Sequence, residues 1–404
     1  MLSKIIPSFS IKQWGLLFVY LIPFVPYVYK LISPFFILTG LGSLTILISP
    51  TILWIGVVLA KKRFFESICA VDIFFVFLIC MGIFLFSIVN SNTTWFFDKY
   101  FLDFALYVLP CYYIGLAINY EKDSEVLRVV SNIGIFVMLF WQVCKLLRLV
   151  EVNESLSGEL GEQMEEAYML VFPICNLLIY SKKSLSDCVM MMIGFVLILL
   201  MGTRGPIIVL GTFIAFYLLF FKKYNKHPLF WKCVIIAAFS VFFVNIKRIS
   251  LMMIPIAIKL GFSPRVFNSI IDSRFSLEES SGRDDIYGGI IDYLKSKESL
   301  FGLGWGGDRL ITYDHVWAHN FELEILVQFG WLLGGLILLL LFILLVKTLF
   351  HTKGLKTQRF ICVMICVGIL ELQFSSTYVS HPLLFIMIGC CVSVLRKKKI
   401  DIQY

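Results

Sequence analysis

Histidine is the side chain whose ordinary pKa, near ~6.5, suits it to take and return a proton at neutral pH. This chain has five, His227, His315, His319, His351 and His381. His315 and His319 stand four residues apart, with Asp314 before them and Asn320 after. Asp314, His315 and His319 can be read as a metal site, but no further Cys or His joins them, so no metal is expected. Just upstream lies Gly302-Leu303-Gly304-Trp305-Gly306-Gly307, a turn-forming run that lets backbone approach a ligand or another segment closely. It is not a nucleotide-binding fingerprint, which would join a strand to a helix in a cytosolic unit. The eleven cysteines lie mainly inside apolar runs, as Cys80, Cys175, Cys362, Cys366, Cys390 and Cys391 do, and read as small buried residues without a disulfide framework. Lys145, Arg148 and Glu371 stand near the ends of apolar runs, where a charge is costly and so pairs or lines a cavity.

The elements that must position these residues are membrane spans. The 404 residues are 59% hydrophobic and only 15% charged, against roughly 25% charged in a soluble domain. Apolar runs recur along the whole chain, each about as long as the ~20 residues a helix needs to cross a bilayer. The expected spans are 14–34, 38–60, 69–89, 101–118, 129–147, 168–180, 187–203, 205–221, 232–246, 322–346, 360–378 and 382–395. Pro23, Pro26, Pro34 and Gly40 interrupt the first two, and a tight turn at Arg204 separates the seventh from the eighth. The fold class is therefore all-α, a polytopic transmembrane bundle of about 12 spans forming one integral membrane domain over 1–404. Lys4 and Lys12 before an apolar run look like a signal peptide, but no small-residue cleavage site follows, so an uncleaved first span is expected.

Orientation follows from the short loops. Lys61-Lys62-Arg63, Lys182-Lys183, the cluster at Lys222, Lys223 and Lys226, the cluster from Lys347 to Arg359, and Arg396-Lys397-Lys398-Lys399 all fall on one side. The segment near 150–167 reads instead as an acidic loop on the other side, with Glu151, Glu154, Glu159, Glu162, Glu165 and Glu166. The positive-inside rule then places both termini in the cytoplasm and residues 247–321 outside, as one large, partly helical extracytoplasmic loop. The net charge of +8 sits in these anchoring tufts, so no nucleic-acid partner is expected. Within the loop, Ile249–Leu260 suits an amphipathic segment on the membrane surface. Ile286, Ile290, Ile291 and Leu294 recur at helical spacing over 284–296, after Ser280-Ser281 as a cap.

Five short motifs then occur in a telling order. Thr203-Arg204-Gly205 stands at the outer end of a span, and Ser281-Gly282-Arg283, Phe301-Gly302-Leu303-Gly304 and His319-Asn320 follow in the loop. Gly330 lies in the next helix. The chain resembles the family of O-antigen ligases and Wzy-type polysaccharide polymerases, in topology throughout and in these motifs within 203–335. The resemblance implies glycosyl transfer outside the cytoplasmic membrane from an undecaprenyl-pyrophosphate-linked oligosaccharide, with a flippase and a chain-length regulator as further partners. The family's two conserved arginines match Arg204 and Arg283, and its conserved histidine matches His319.

Such a transfer breaks a bond from sugar C1 to a pyrophosphate oxygen, on which negative charge builds. A divalent metal would need several carboxylates, and no carboxylate cluster stands beside the motifs, so the expectation is metal-independent transfer without a cofactor. Guanidinium groups bind phosphate bidentately and stay charged at any relevant pH, which suits Arg204 and Arg283 to that oxygen. The acceptor hydroxyl must lose a proton as it attacks, and His319 suits that step. A single displacement of this kind inverts the anomeric centre. Glu371, His315 and Trp305 are further candidates for contact with substrate.

Each residue also has a plainer reading. Arg204 could anchor its span at the interface, Arg283 could pair with Asp284 or Asp285, and His319 could cap the next helix. Three functions compete. A polymerase joins lipid-linked repeat units, a ligase moves the glycan to a lipid A core, and a transporter carries a lipid-linked oligosaccharide across. A transporter should show internal repeats and broken helices near the midplane, whereas here the polar residues concentrate at the outer face. The Lys-, Ile- and Phe-rich composition suggests a genome without an outer membrane to supply lipid A, which favours the polymerase.

Overall fold

The computed structural model describes residues 9–24, 27–28, 55–89, 93–147, 156–201, 203–221, 244–259, 283–312, 317–352 and 354–402, with single positions at 233, 241 and 271. Every regular element among them is helical. Ala70–Val89 (α1), Thr94–Ala117 (α2) and Tyr120–Leu146 (α3) are followed by Leu156–Ile179 (α4), Leu185–Met201 (α5) and Arg204–Phe216 (α6). Next come Arg283–Lys295 (α7), the single turn Asp308–Ile311 (α8), Phe321–His351 (α9) and Pro382–Ile402 (α10). Helices α1, α2, α3 and α9 are long and apolar enough to cross a membrane. Leu185–Met201, Gly205–Phe221 and Pro382–Arg396 are shorter apolar helices. The expected spans 38–60 and 232–246 lie largely outside the described residues, as do 25–26 and 29–34 of the first span. Where 360–378 was expected as one span, helix Leu355–Ile365 passes through a π turn at Cys366–Leu370 into a 3₁₀ turn at Glu371–Gln373.

The chain forms two compact units, Met1–Lys62 with Asn119–Arg274 and Arg63–Ile118 with Phe275–Tyr404. In the first unit α3, α4 and α5 pack on one another. The acidic segment expected as a loop over 150–167 is helical from Leu156 onward. Its Glu166 explains why. The buried carboxylate accepts from Trp141 Nε1 and Gln142 Nε2, each at 2.6 Å, and from Lys145 Nζ at 3.0 Å, so α3 supplies every donor. Roughly four turns away along α3, Arg128 pairs with buried Asp187 of α5 at 3.2 Å, and Asn132 donates to the same carboxylate at 2.7 Å. A carboxylate this deep costs several kcal/mol unless paired and hydrogen-bonded, and both are.

In the second unit α1 turns most of its surface outward, including Phe74, Phe75, Phe77, Leu78, Phe84 and Leu85. A helix apolar on all sides yet uncovered is stable where the medium around it is itself apolar. Its one buried charge, Asp72, receives both nitrogens of Arg396 at 2.6 Å, with the Tyr112 hydroxyl at 2.7 Å and the Cys69 amide at 2.8 Å. Helix α10 meets α2 at a backbone-to-backbone contact. A Cβ on Gly115 would strike the Ile386 carbonyl, and one on Gly389 the Tyr112 carbonyl. Small residues permit such an approach between apolar helices. Gly389→Val is expected to destabilise the unit by at least the ~1–3 kcal/mol of an overpacked core. The loss is read as a fall in monodisperse protein on size exclusion. Gly82→Val, where a Cβ meets nothing within 4 Å, is the matched control and should behave as wild type.

Candidate functional site

The glycine run approaches another segment of the chain. Leu303 and Gly304 donate their amides to the Val327 and Gln328 carbonyls at 2.9 and 3.0 Å. Those carbonyls are open to an outside donor because α9 leaves α-helical geometry at Gly330, where a π turn runs to Gly334. Gly302 and Gly330 both have positive φ, 78° and 73°, and face each other so closely that a Cβ on either would strike the other's segment. Only glycine fits such a crossing. Gly306 (φ 81°) lies against the Phe96 ring in the same way. Trp305, a sequence candidate for substrate contact, is fully buried. Its ring packs at 4.9 Å from Phe96 and 5.6 Å from Phe104 of α2, which fixes the loop to that helix.

Beyond the glycines, α8 carries two charged residues inward. Asp308 is fully buried, and its Oδ1 accepts from Gln328 Nε2 at 2.7 Å while Oδ2 accepts the Ala318 amide at 3.3 Å. Gln328 Oε1 in turn accepts the Tyr378 hydroxyl at 2.6 Å. Gln328 Nε2 also lies 3.4 Å from buried Glu324, to which the Thr377 hydroxyl donates. The next residue, Arg309, sits within an aromatic box. Its guanidinium carbon is 4.8 Å from the Phe96 ring centre, 5.0 Å from Tyr100 and 2.9 Å from Trp317. Such boxes hold a cation against the negative faces of the rings. Burial pushes the Asp308 carboxyl up from its ordinary value and the Arg309 guanidinium down.

Directly after this framework comes His319, half-buried, with φ 51°. A left-handed backbone on a residue other than glycine stores strain and marks a position worth functional attention. Asn320 follows as the N-cap of α9, its Oδ1 accepting the Leu323 amide at 3.0 Å and its Nδ2 donating to Gln373 at 3.2 Å. The capping role suggested for His319 therefore falls to Asn320. Helix α7 lies against the same stretch. Ile290 joins Ala318 and Val327 in a small core, with Ile286, Tyr293, Leu294, Leu303, Ile311 and Leu323 around it. Ile291, expected on that face, is 44% exposed, because its place on the helix falls about a third of a turn from the middle of the stripe that Tyr293 completes. The Tyr287 hydroxyl reaches the His319 carbonyl at 3.4 Å.

Arg283 lies on α7 one turn before Tyr287, whose hydroxyl reaches the His319 carbonyl, so the second unit docks the helix that carries Arg283 against His319. Arg204 begins α6 in the other unit, with Thr203 as its cap residue. The side chains of both arginines lie outside the described residues, as do Asp314, His315 and the Ser280-Ser281 cap. Glu371 is buried with its Oε1 3.8 Å from His381 Nδ1, while His381 Nε2 bonds the Val367 carbonyl at 2.8 Å. A cavity of about 560 Å³ in the first unit, lined by Leu139, Val143, Met192 and Val196 among others, is almost wholly apolar, with Gln142 and Cys188 as its polar lining residues. Asp308, Arg309, Glu324, Gln328 and Tyr378 did not emerge from the sequence as site residues. Glu324 alone carried a signal, as a charge at the head of a long apolar run. No protein-family model, curated protein or solved structure matches the chain.

Proposed function

We propose that the chain is a membrane glycosyltransferase that polymerises a bacterial surface polysaccharide, joining undecaprenyl-pyrophosphate-linked repeat units at the outer face of the cytoplasmic membrane. The observation that carries this reading is the setting of His319. Its strained backbone is flanked by Ala318, pinned by Asp308, and Asn320, pinned by the cap, and the helix that carries Arg283 is seated on it. Enzymes store such strain where a side chain must be aimed. A second feature supports the donor assignment. Arg204 is the first residue of helix α6, after the cap residue Thr203. A cation there is disfavoured by the helix dipole unless an anion joins it, and the open amide groups at that end favour the same anion.

In this mechanism His319 removes the acceptor hydroxyl's proton as the oxygen attacks sugar C1. The bond from C1 to the pyrophosphate oxygen breaks, and Arg204 and Arg283 take up the charge on the departing pyrophosphate. The new linkage is inverted at C1. The test is deletion of the gene followed by sizing of the surface glycan. Loss of polymer with single repeat units retained on the lipid is the expected result. Full-length polymer accumulating on its lipid would assign a ligase instead. Repeat units trapped on the cytoplasmic side would assign a transporter.

A further inference from the structure

We infer that Asp308 and Arg309 are a positioning pair for His319, two adjacent residues that grip the two residues before it. The inference rests on the reading of His319 as the base. Asp308 accepts the Ala318 amide at 3.3 Å, and the Arg309 guanidinium lies over the face of the Trp317 ring. Both grips are anchored elsewhere in the same unit. Asp308 is held by Gln328 at 2.7 Å, which Tyr378 holds at 2.6 Å, and Arg309 donates to the Tyr100 hydroxyl at 3.4 Å beneath the Phe96 ring. On the far side Asn320 is fixed by its cap and by Gln373. His319 is thus the residue between two clamps, and it is the one that carries the left-handed backbone.

Packing alone does not call for this arrangement. Asp308 is wholly buried and Arg309 is 5% exposed, and an apolar pair of similar volume would seat the loop without the cost of drying two charges. What the charged pair adds is direction. A carboxylate accepts two hydrogen bonds at set angles, and a planar guanidinium stacks on one ring while bonding a hydroxyl at its edge. Together they set the peptide plane that enters His319 and so the line along which its imidazole leaves the backbone.

The test uses the full chain in nanodiscs and follows the reactivity of each histidine with diethyl pyrocarbonate, residue by residue, by mass spectrometry of peptides. In Asp308→Asn the amide can serve only one of its two donors as an acceptor, and its own N–H faces the other. His319 should then react roughly tenfold faster, the size expected for losing a charged hydrogen bond from a locally opening segment. Arg309→Lys, which keeps the charge and loses the planar stack, should act in the same direction. His381, 5% exposed, should stay protected and so reports an intact fold. In the double variant Asp308→Asn with Gln328→Glu, made in a Glu324→Gln background so that no second carboxylate lies 3.4 Å from the new one, the Asn amide donates to the new carboxylate while its oxygen keeps Ala318. His319 reactivity should then return toward wild type, which a general loosening would not do. With lipid-linked substrate, Asp308→Asn should lower kcat roughly tenfold with the donor KM unchanged. Unchanged His319 reactivity in both single variants, with His381 protected, would overturn the positioning role. If His381 also becomes reactive in Asp308→Asn, Arg309→Lys and the double variant decide the question. Raised His319 reactivity combined with full activity of His319→Ala would overturn the reading of His319 as the base and leave the grip on its backbone intact.

Discussion

His319→Ala is expected to lower turnover by the ~10²–10⁴-fold that general acid–base catalysis contributes, while binding of the lipid-linked donor stays nearly intact. The proposed mechanism gives the imidazole contact with the acceptor hydroxyl alone, and the donor's charge is held by the arginines. Removing the ring therefore leaves the pyrophosphate partners in place and takes away the group that receives the proton. The structure sharpens the expectation in one respect. Asn320, with its N-cap bond at 3.0 Å, and the Ala318 core hold the backbone on both sides, so deleting the ring should leave the loop seated. The measurement is single-turnover transfer in nanodiscs with a chelator present, beside donor binding by the same preparation and a size-exclusion check of folding. His351→Ala is a suitable control, since that ring is exposed and bonds only its own helix through Lys347. Full activity of His319→Ala, or loss of wild-type activity on chelation, would sink the metal-free histidine mechanism.

The sequence and the structure agree where one stretch of chain decides its own conformation. The apolar run 69–89 is α1 almost to the residue, and the spacing of Ile286, Ile290 and Leu294 marks α7 and the face it buries. The differences arise where the deciding partner is remote. Six glutamates in a row of polar residues read as a loop, because nothing nearby shows that Trp141, Gln142 and Lys145 will meet Glu166. In sequence Gly302 reads as a turn residue and Gly330 as a residue inside a helix, and only their crossing shows that the space belongs to backbone rather than to a ligand. Asp308 and Arg309 are legible as ordinary loop charges. Their burial depends on Gln328 twenty residues on and on aromatic residues about two hundred residues back, at Phe96 and Tyr100. Charges buried by long-range partners leave no local period to read.

Arg204→Lys and Arg283→Lys should each reduce turnover by ~10²–10³-fold, the usual cost of losing one preorganised charge-stabilising donor, and each should weaken donor binding as well. Lysine keeps the positive charge but offers one ammonium in place of a planar fork that can bond two phosphate oxygens at once. The positions of these residues make the test discriminating. Arg204 opens α6, where Thr203, Arg204 and Gly205 have backbone amides without intrahelical partners (Pro206 carries no N–H) and a lone cation gains nothing from the dipole. If Arg204 only anchored its span, or Arg283 only paired with Asp284 or Asp285, lysine would serve nearly as well and both variants would be close to wild type. If the arginines hold pyrophosphate, the lysine variants should retain partial binding, since the charge remains, yet lose most of the rate. Inorganic pyrophosphate provides the independent readout, because it should inhibit the wild-type transfer competitively with donor, and its inhibition constant should rise in both variants. His319→Ala should leave that constant unchanged, which separates the two roles within one assay. Lysine variants with wild-type turnover and an unaltered pyrophosphate inhibition constant would remove both arginines from the donor site.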